Sequence, residues 1–215
     1  MNETQKALAI KLSEIGAIKF GAFRLKLHET HPNAPLSPIY LNLRTPDNKE
    51  GPLTEEIVEA ISKEIFDVIN FAAVEFERVV GIPRAGGPFA KVVSRLSGKP
   101  QIILGKKVEG DRRKIDSVVS GDYRPGQPVI LIDDLITQAD TKKEAINVCE
   151  EAGLRVVGVA VGVDREQGGS EELKKMGYNV YTVFTLTALL DYYVHVGEID
   201  QRMHTLVMNY LAANR

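Results

Sequence analysis

Two adjacent carboxylates at the end of an apolar run are the first place in this chain where chemistry could be done. The segment VILIDDLITQADTKKEAI reads as a strand that delivers Asp133 and Asp134. A polar turn follows over Thr137, Gln138, Ala139, Asp140 and Thr141, and then a helix. A helix N-terminus offers unpaired N–H groups and partial positive charge, which suits a phosphate. Carboxylates beside it can accept hydrogen bonds from neighbouring sugar hydroxyls. Together they would grip a ribose 5-phosphate. The plainer alternative is structural: one aspartate caps the loop, and Asp140 or Thr141 caps the helix, as these residue types commonly do. The spacing alone leaves both readings open.

The elements that would position this pair follow a regular rhythm. RVVGI, QIIL, VILID, VVGVAVGV and VYTVFTL are short apolar runs. PFAKVVSRLSG, ending at Gly98, and TKKEAINVCEEAG, ending at Gly153, read as helices between them, with a short helix over Ser170 to Met176. Such runs separated by helices imply a parallel sheet covered on both faces. In these sheets ligands sit outside the carboxyl ends of the strands. That rule selects Arg84, Lys106, Lys107, Asp133, Asp134, Asp164, Arg165 and Thr185, which on pattern alone indicate an α/β protein with a polar ligand.

Upstream, an amphipathic first helix should end near Gly16. FGAFRL and IYLNL carry strand-like residues around the loop HETHPNAPLSP. Thr54 is a good N-cap for TEEIVEAISKEIFDVINFA, with Ile57, Ile61, Ile65 and Val68 at helical spacing. Two helical stretches, Thr187 to Val196 and Asp200 to Ala213, close the chain. GKKVEGDRRKIDS shows no clear periodicity and reads as an exposed loop.

The whole comprises 215 residues, 44% hydrophobic and 26% charged, which predicts one globular domain rather than a disordered chain. The 27 basic and 29 acidic residues give a net charge of −2, against a dedicated nucleic-acid binder. No apolar run is long enough to span a bilayer, and the N-terminus has helical periodicity instead of a signal peptide's compact apolar stretch. With Cys149 the only cysteine, no intrachain disulfide can form, and cytoplasm is the expected compartment. Cys149 is expected in buried packing. His28 and His31, at i and i+3, lack an evident third ligand, so no metal site is assigned.

Several of these segments carry a resemblance. The strand, acidic pair and Thr-containing loop resemble the phosphoribosyl pyrophosphate motif of type I phosphoribosyltransferases. FGAFRLK with SPIYLNLR, GIPRAGGPFA, VDREQGG and VFTLTALLDYYV are similar to segments of orotate phosphoribosyltransferases, including the corresponding part of uridine monophosphate synthase. The motifs stand in family order across roughly Ile15 to Gly197.

The resemblance implies a parallel-sheet α/β phosphoribosyltransferase core with helices on both faces and a small N-terminal hood. The single domain would divide into hood (1–45), core (46–197) and C-terminal helix (198–215). It implies transfer of a phosphoribosyl group from phosphoribosyl pyrophosphate to orotate, with Mg2+ carried by the pyrophosphate substrate and no dedicated metal cage. Asp133 and Asp134 would bind the ribose hydroxyls, and Thr137, Gln138, Ala139, Asp140 and Thr141 the 5-phosphate. Arg165 would meet the orotate carboxylate, since guanidinium matches carboxylate with two parallel hydrogen bonds. Lys26 would lie near pyrophosphate and base. Lys106, Lys107, Arg112 and Arg113 would belong to a mobile catalytic loop that reaches the other subunit, so a homodimer is expected.

The sequence also departs from the family. Asp140 stands in a phosphate loop that usually carries small residues. A like charge about 4 Å from the phosphate would cost about 1 kcal/mol in water and about 4 near a protein surface. Asp140 must turn outward for that loop to work. A family lysine falls near Gly110, the loop lacks histidine, Arg84 and Ala85 replace an aromatic residue and a lysine found in some members, and HETHPNAPL is an insertion. Two alternatives therefore stand beside orotate transfer: an impaired nucleotide-binding or regulatory relative, or a transferase for another base.

Overall fold

The computed structural model describes residues 1–25, 27–48, 50–109 and 112–214. Helix α1 (Glu3–Glu14) begins at a capping box in which Asn2 and Gln5 satisfy each other's backbone N–H groups. A small antiparallel ribbon follows, β1 (Ile18–Phe23) paired with β2 (Ser37–Leu41), with the short helix α2 (Leu27–Thr30) in its connection. Helix α3 (Glu55–Phe71) starts where Thr54 Oγ1 accepts the Ile57 N–H, and it buries Ile57, Ile61, Ile65 and Ile69 on one stripe. Each fully buried isoleucine contributes about 1.5–3 kcal/mol, so this stripe alone fixes the helix against the sheet.

The core then alternates as the apolar runs require: β3 (Arg78–Gly81), α4 (Gly86–Ser97), β4 (Gln101–Glu109), β5 (Arg112–Ser120), β6 (Pro128–Ile136), α5 (Asp140–Glu151), β7 (Arg155–Asp164), α6 (Gly169–Lys175) and β8 (Val180–Thr185). Helices α7 (Leu186–His195) and α8 (Gln201–Ala213) complete the chain. Gly98 ends α4 in the left-handed conformation, φ 67°, which glycine adopts without penalty.

The main sheet has the order β5-β4-β3-β6-β7-β8 and is parallel except for the β4–β5 pair. Alternation along its strands feeds two cores. Val79, Ile130 and Ile132 join the core under α1, α3, α4, α7 and α8. Val80, Val129 and Leu131 join the other, under α5 and α6. Among the described residues, no helix is long and apolar enough to cross a membrane.

One expectation changes. Within GKKVEGDRRKIDS the described residues Lys106 to Glu109 and Arg112 to Ser117 are strand, not loop: β4 runs on through Lys106 and Lys107 to Glu109, and β5 runs antiparallel to it from Arg112, with Lys106 opposite Ile115 and Lys107 opposite Lys114. Lys106, Lys107 and Lys114 are exposed, so the strand has no apolar alternation to announce it. Cross-strand hydrogen bonding makes the structure there. Strand β6 likewise runs on to Ile136 instead of stopping at Asp133.

Candidate functional site

The carboxyl ends of β3, β4 and β6 enclose a cavity of about 490 Å³. Asp133, Asp134, Lys106, Thr141, Lys142 and Arg84 contribute to its walls, with the hood side supplying residues after β2. Another hollow, about 420 Å³, opens at the opposite end of the sheet around Phe76 and Pro128. The acids lie in the first, where a doubly covered parallel sheet places its ligands.

Asp133 and Asp134 are both buried, at 5% and 7% exposure. Asp133 Oδ1 accepts the Asp134 N–H at 2.9 Å, and Asp134 Oδ1 accepts the Leu135 N–H at 2.8 Å. Burial, and then the neighbouring Asp133 charge, push the Asp134 carboxyl up to about 8. The close approach of α4 to this pair depends on Gly86. A Cβ there would lie 2.2 Å from the Ile132 carbonyl oxygen and 3.1 Å from Asp133 Oδ1. The turn before α4 includes a cis Pro83–Arg84 peptide.

Helix α5 begins at Asp140, one residue ahead of the expected Thr141, and no side chain caps it. Its first-turn N–H groups are therefore left to a ligand or solvent. Asp140 does not cap the helix; it turns outward, 77% exposed along its side chain, and pairs with Lys143 at 3.1 Å. Thr137 is half-buried, Gln138 exposed and Ala139 buried.

Arg165 follows β7, its backbone N–H donating to the carbonyl of Ile136, the last residue of β6, at 3.0 Å. Its Nε and Nη2 are buried, and among the described residues they have no hydrogen-bond partner. Burial lowers the guanidinium's pKa from its ordinary value. The loop around it is braced on both sides. Asp164 accepts the Glu166 N–H at 2.7 Å and the Ser170 hydroxyl, and Glu166 Oε2 accepts the Thr187 N–H at 2.7 Å. Gly169 N–H donates to the Thr137 carbonyl at 3.1 Å. A Cβ on Gly169 would come within 2.9 Å of that carbonyl oxygen, so glycine permits the two loops to touch.

The fold thus brings Lys106, Asp133, Asp134 and Thr141 to one cavity and places Arg165 at the end of the neighbouring strand, bonded to the end of β6. Lys107 is the next residue along β4 and is exposed. The backbones of Arg112 and Arg113 pair with Glu109 and Val108 near the far end of the hairpin. Lys26 lies outside the described residues. Sequence reasoning missed Lys142, which is buried and pairs with Asp133 at 2.7 Å. Its signal was present: Lys142, Ala145, Ile146 and Cys149 form the i, i+3, i+4, i+7 stripe of α5, which puts a lysine on the inward face.

The two residues weighed as extras serve the scaffold. His28 is buried; its Nδ1 accepts the Leu25 N–H at 2.9 Å and its Nε2 lies 3.2 Å from the Ala34 carbonyl oxygen, stapling the insertion shut. The Cys149 thiol is buried, which pushes it up to about 12 and makes it unreactive.

Residues 49–197 match the phosphoribosyl transferase domain. An orotate phosphoribosyltransferase of Pyrobaculum islandicum is 32% identical over 203 residues, covering 94% of this chain and 96% of that protein. Among solved structures, UMP synthase of Leishmania donovani superposes with a TM-score of 0.76 at 29% identity, covering 97% of this chain, which spans 42% of that longer one. Orotate phosphoribosyltransferase of Aeropyrum pernix shares the fold, with a TM-score of 0.69 at 24% identity over 90% of this chain and 99% of that one.

Proposed function

The chain belongs to the phosphoribosyl transferase domain family, and on that footing we propose that it transfers the phosphoribosyl group of phosphoribosyl pyrophosphate to orotate. The products are orotidine 5′-monophosphate and pyrophosphate, a step of pyrimidine nucleotide synthesis. The observation that carries this reading is Arg165: its guanidinium Nε and Nη2 are buried and unpartnered among the described residues, in the segment whose Gly169 touches Thr137 of the phosphate loop. A buried charged donor left without an acceptor is costly, and a ligand carboxylate is the group that relieves it. Uracil and purines carry none, which disfavours another base. The outward turn of Asp140 removes the main ground for an impaired relative.

The roles follow from position. The uncapped N-terminus of α5, with Thr137 to Thr141, receives the 5-phosphate. Asp133 and Asp134 accept hydrogen bonds from the ribose hydroxyls. The bond from C1′ to the pyrophosphate oxygen breaks with its electron pair leaving on pyrophosphate. N1 of orotate closes the new C1′–N1 bond and releases its proton. An oxocarbenium-like transition state places growing negative charge on the leaving group. Lys106, on the cavity wall, with Lys107, Arg112 and Arg113 on the hairpin, supply positive charge where it develops. Lys26 completes the proposed set near pyrophosphate and base.

Mg2+ fits this site as a passenger of the substrate. Two hard carboxylates face the cavity, and among the described residues no cluster of three ligating side chains is present to form a cage. When bound, the ion would screen the pyrophosphate's charge. A cytoplasmic homodimer, in which the chain beyond Lys106 is lent to the partner's cavity, completes the proposal.

The test is direct. Folded protein with orotate, phosphoribosyl pyrophosphate and magnesium should consume orotate's absorbance and yield a product of the mass of orotidine 5′-monophosphate. Absence of turnover above background removes the reading.

A further inference from the structure

Lys142 is a buried charge to which the reaction above assigns no task. From the first turn of α5 its Nζ reaches back to Asp133 Oδ2 at 2.7 Å and donates to the Leu135 carbonyl at 2.7 Å. It is 6% exposed and lines the same cavity as the acidic pair. Its neighbours on the buried stripe, Ala145, Ile146 and Cys149, show that an apolar side chain would suit this face. A buried ion pair is a poor source of stability compared with an apolar replacement of similar volume. Packing alone therefore gives no reason for a lysine here.

The geometry supplies one. Asp133 is held at both oxygens: Oδ1 by the Asp134 N–H and Oδ2 by Lys142. The carboxylate cannot rotate without losing both contacts. The same ammonium binds the Leu135 carbonyl, so it ties the strand carrying the acids to the helix whose N-terminus faces the phosphate loop. It also offsets the Asp133 charge that an anionic substrate must approach.

We propose that Lys142 is a positioning residue for the acidic pair, holding Asp133 in the orientation in which the pair receives the ribose hydroxyls of phosphoribosyl pyrophosphate. This rests on the phosphoribosyl reading of the cavity, but not on orotate as the acceptor. Lys142 acts through Asp133, and its contacts lie on the acidic pair's strand rather than beside Arg165. Its loss should therefore be felt by one substrate and spare the other.

Lys142→Met keeps a flexible stem and removes the charge. Calorimetry with magnesium phosphoribosyl pyrophosphate and steady-state kinetics with orotate read the effect, and a thermal melt confirms that the variant is folded. The expected result is a Kd and KM for phosphoribosyl pyrophosphate raised about tenfold or more, with the KM for orotate and kcat within about twofold of the parent. Lys142→Arg, which keeps the charge but replaces the compact ammonium by a longer, planar group, should fall between. An unchanged Kd for phosphoribosyl pyrophosphate in the folded Met variant, or equal weakening toward both substrates, overturns the proposal. Should the Met variant fail to fold, Lys142→Arg decides: a selective rise of about threefold or more supports positioning, and parental affinity overturns it. A parent that binds phosphoribosyl pyrophosphate but does not turn over orotate sinks the orotate reading and leaves calorimetry to judge Lys142. A parent that binds none overturns both.

Discussion

Asp140 and Lys143 pair across one turn of α5 at 3.1 Å, and this contact points the Asp140 carboxylate away from the uncapped start of the helix. Lys143 is shared with Glu172 on α6 at 2.8 Å, which holds its ammonium on the outer side. Removing the carboxylate should therefore change little: Asp140→Ala is expected to keep the KM for phosphoribosyl pyrophosphate within about twofold. Lys143→Ala releases Asp140 toward the phosphate and should raise that KM by about two- to fivefold, an effect that shrinks as salt is added. Initial rates at two ionic strengths distinguish the outcomes.

Arg165 should set the choice of base. Arg165→Ala is expected to lower kcat/KM for orotate by about a hundredfold or more, because two charge-assisted hydrogen bonds are lost. Arg165→Lys should recover only a small part, since an ammonium cannot match a carboxylate with two parallel bonds. The affinity for phosphoribosyl pyrophosphate, measured by calorimetry, should stay near the parental value. Equal losses for both substrates would contradict the assignment.

Gly86 is required by the approach of α4 to β6. A methyl group there meets the Ile132 carbonyl oxygen at 2.2 Å and Asp133 Oδ1 at 3.1 Å, so backbone must move. Gly86→Ala should destabilise the fold by about 1–3 kcal/mol and displace Asp133 as well. A lower melting temperature together with weakened phosphoribosyl pyrophosphate binding is the expected pair of results.

Asp134 gives a pH signature. In the unfolded chain an aspartate loses its proton near about 3.9, whereas in the fold burial and Asp133 raise Asp134 to about 8. Between those values the folded chain binds more protons than the unfolded one. The group's contribution to stability is thus complete below the lower value and is lost as pH rises through the upper one. Asp134→Asn should flatten this decline. Urea unfolding at several pH values from about 5 to 8 measures the slope of parent and variant.

The sequence made the site's framework readable because its signals were local. The apolar runs gave the parallel strands, Thr54 and Gly98 marked a helix start and a helix stop, and Asp133 and Asp134 fell near the carboxyl end of β6 and Arg165 just past β7. What escaped depended on partners distant in sequence. The antiparallel pair of β4 and β5 is held by cross-strand bonds, and its polar stretch carries no apolar period. Lys142 was hidden by its type: a lysine on a helix is ordinarily solvated, and only the stripe beside it revealed its inward direction. The orientation of Asp140 could not be read from its chain position, because Lys143 and Glu172 determine it from outside the turn.

The contact of Gly169 with Thr137 joins the proposed cradle for the sugar phosphate to the segment bearing Arg165. The two recognition elements share a common wall, so neither can shift without dragging its neighbour. In the proposed reaction, sugar and base would be gauged against one stiff template, with the distance between the reacting partners built into the scaffold before either arrives.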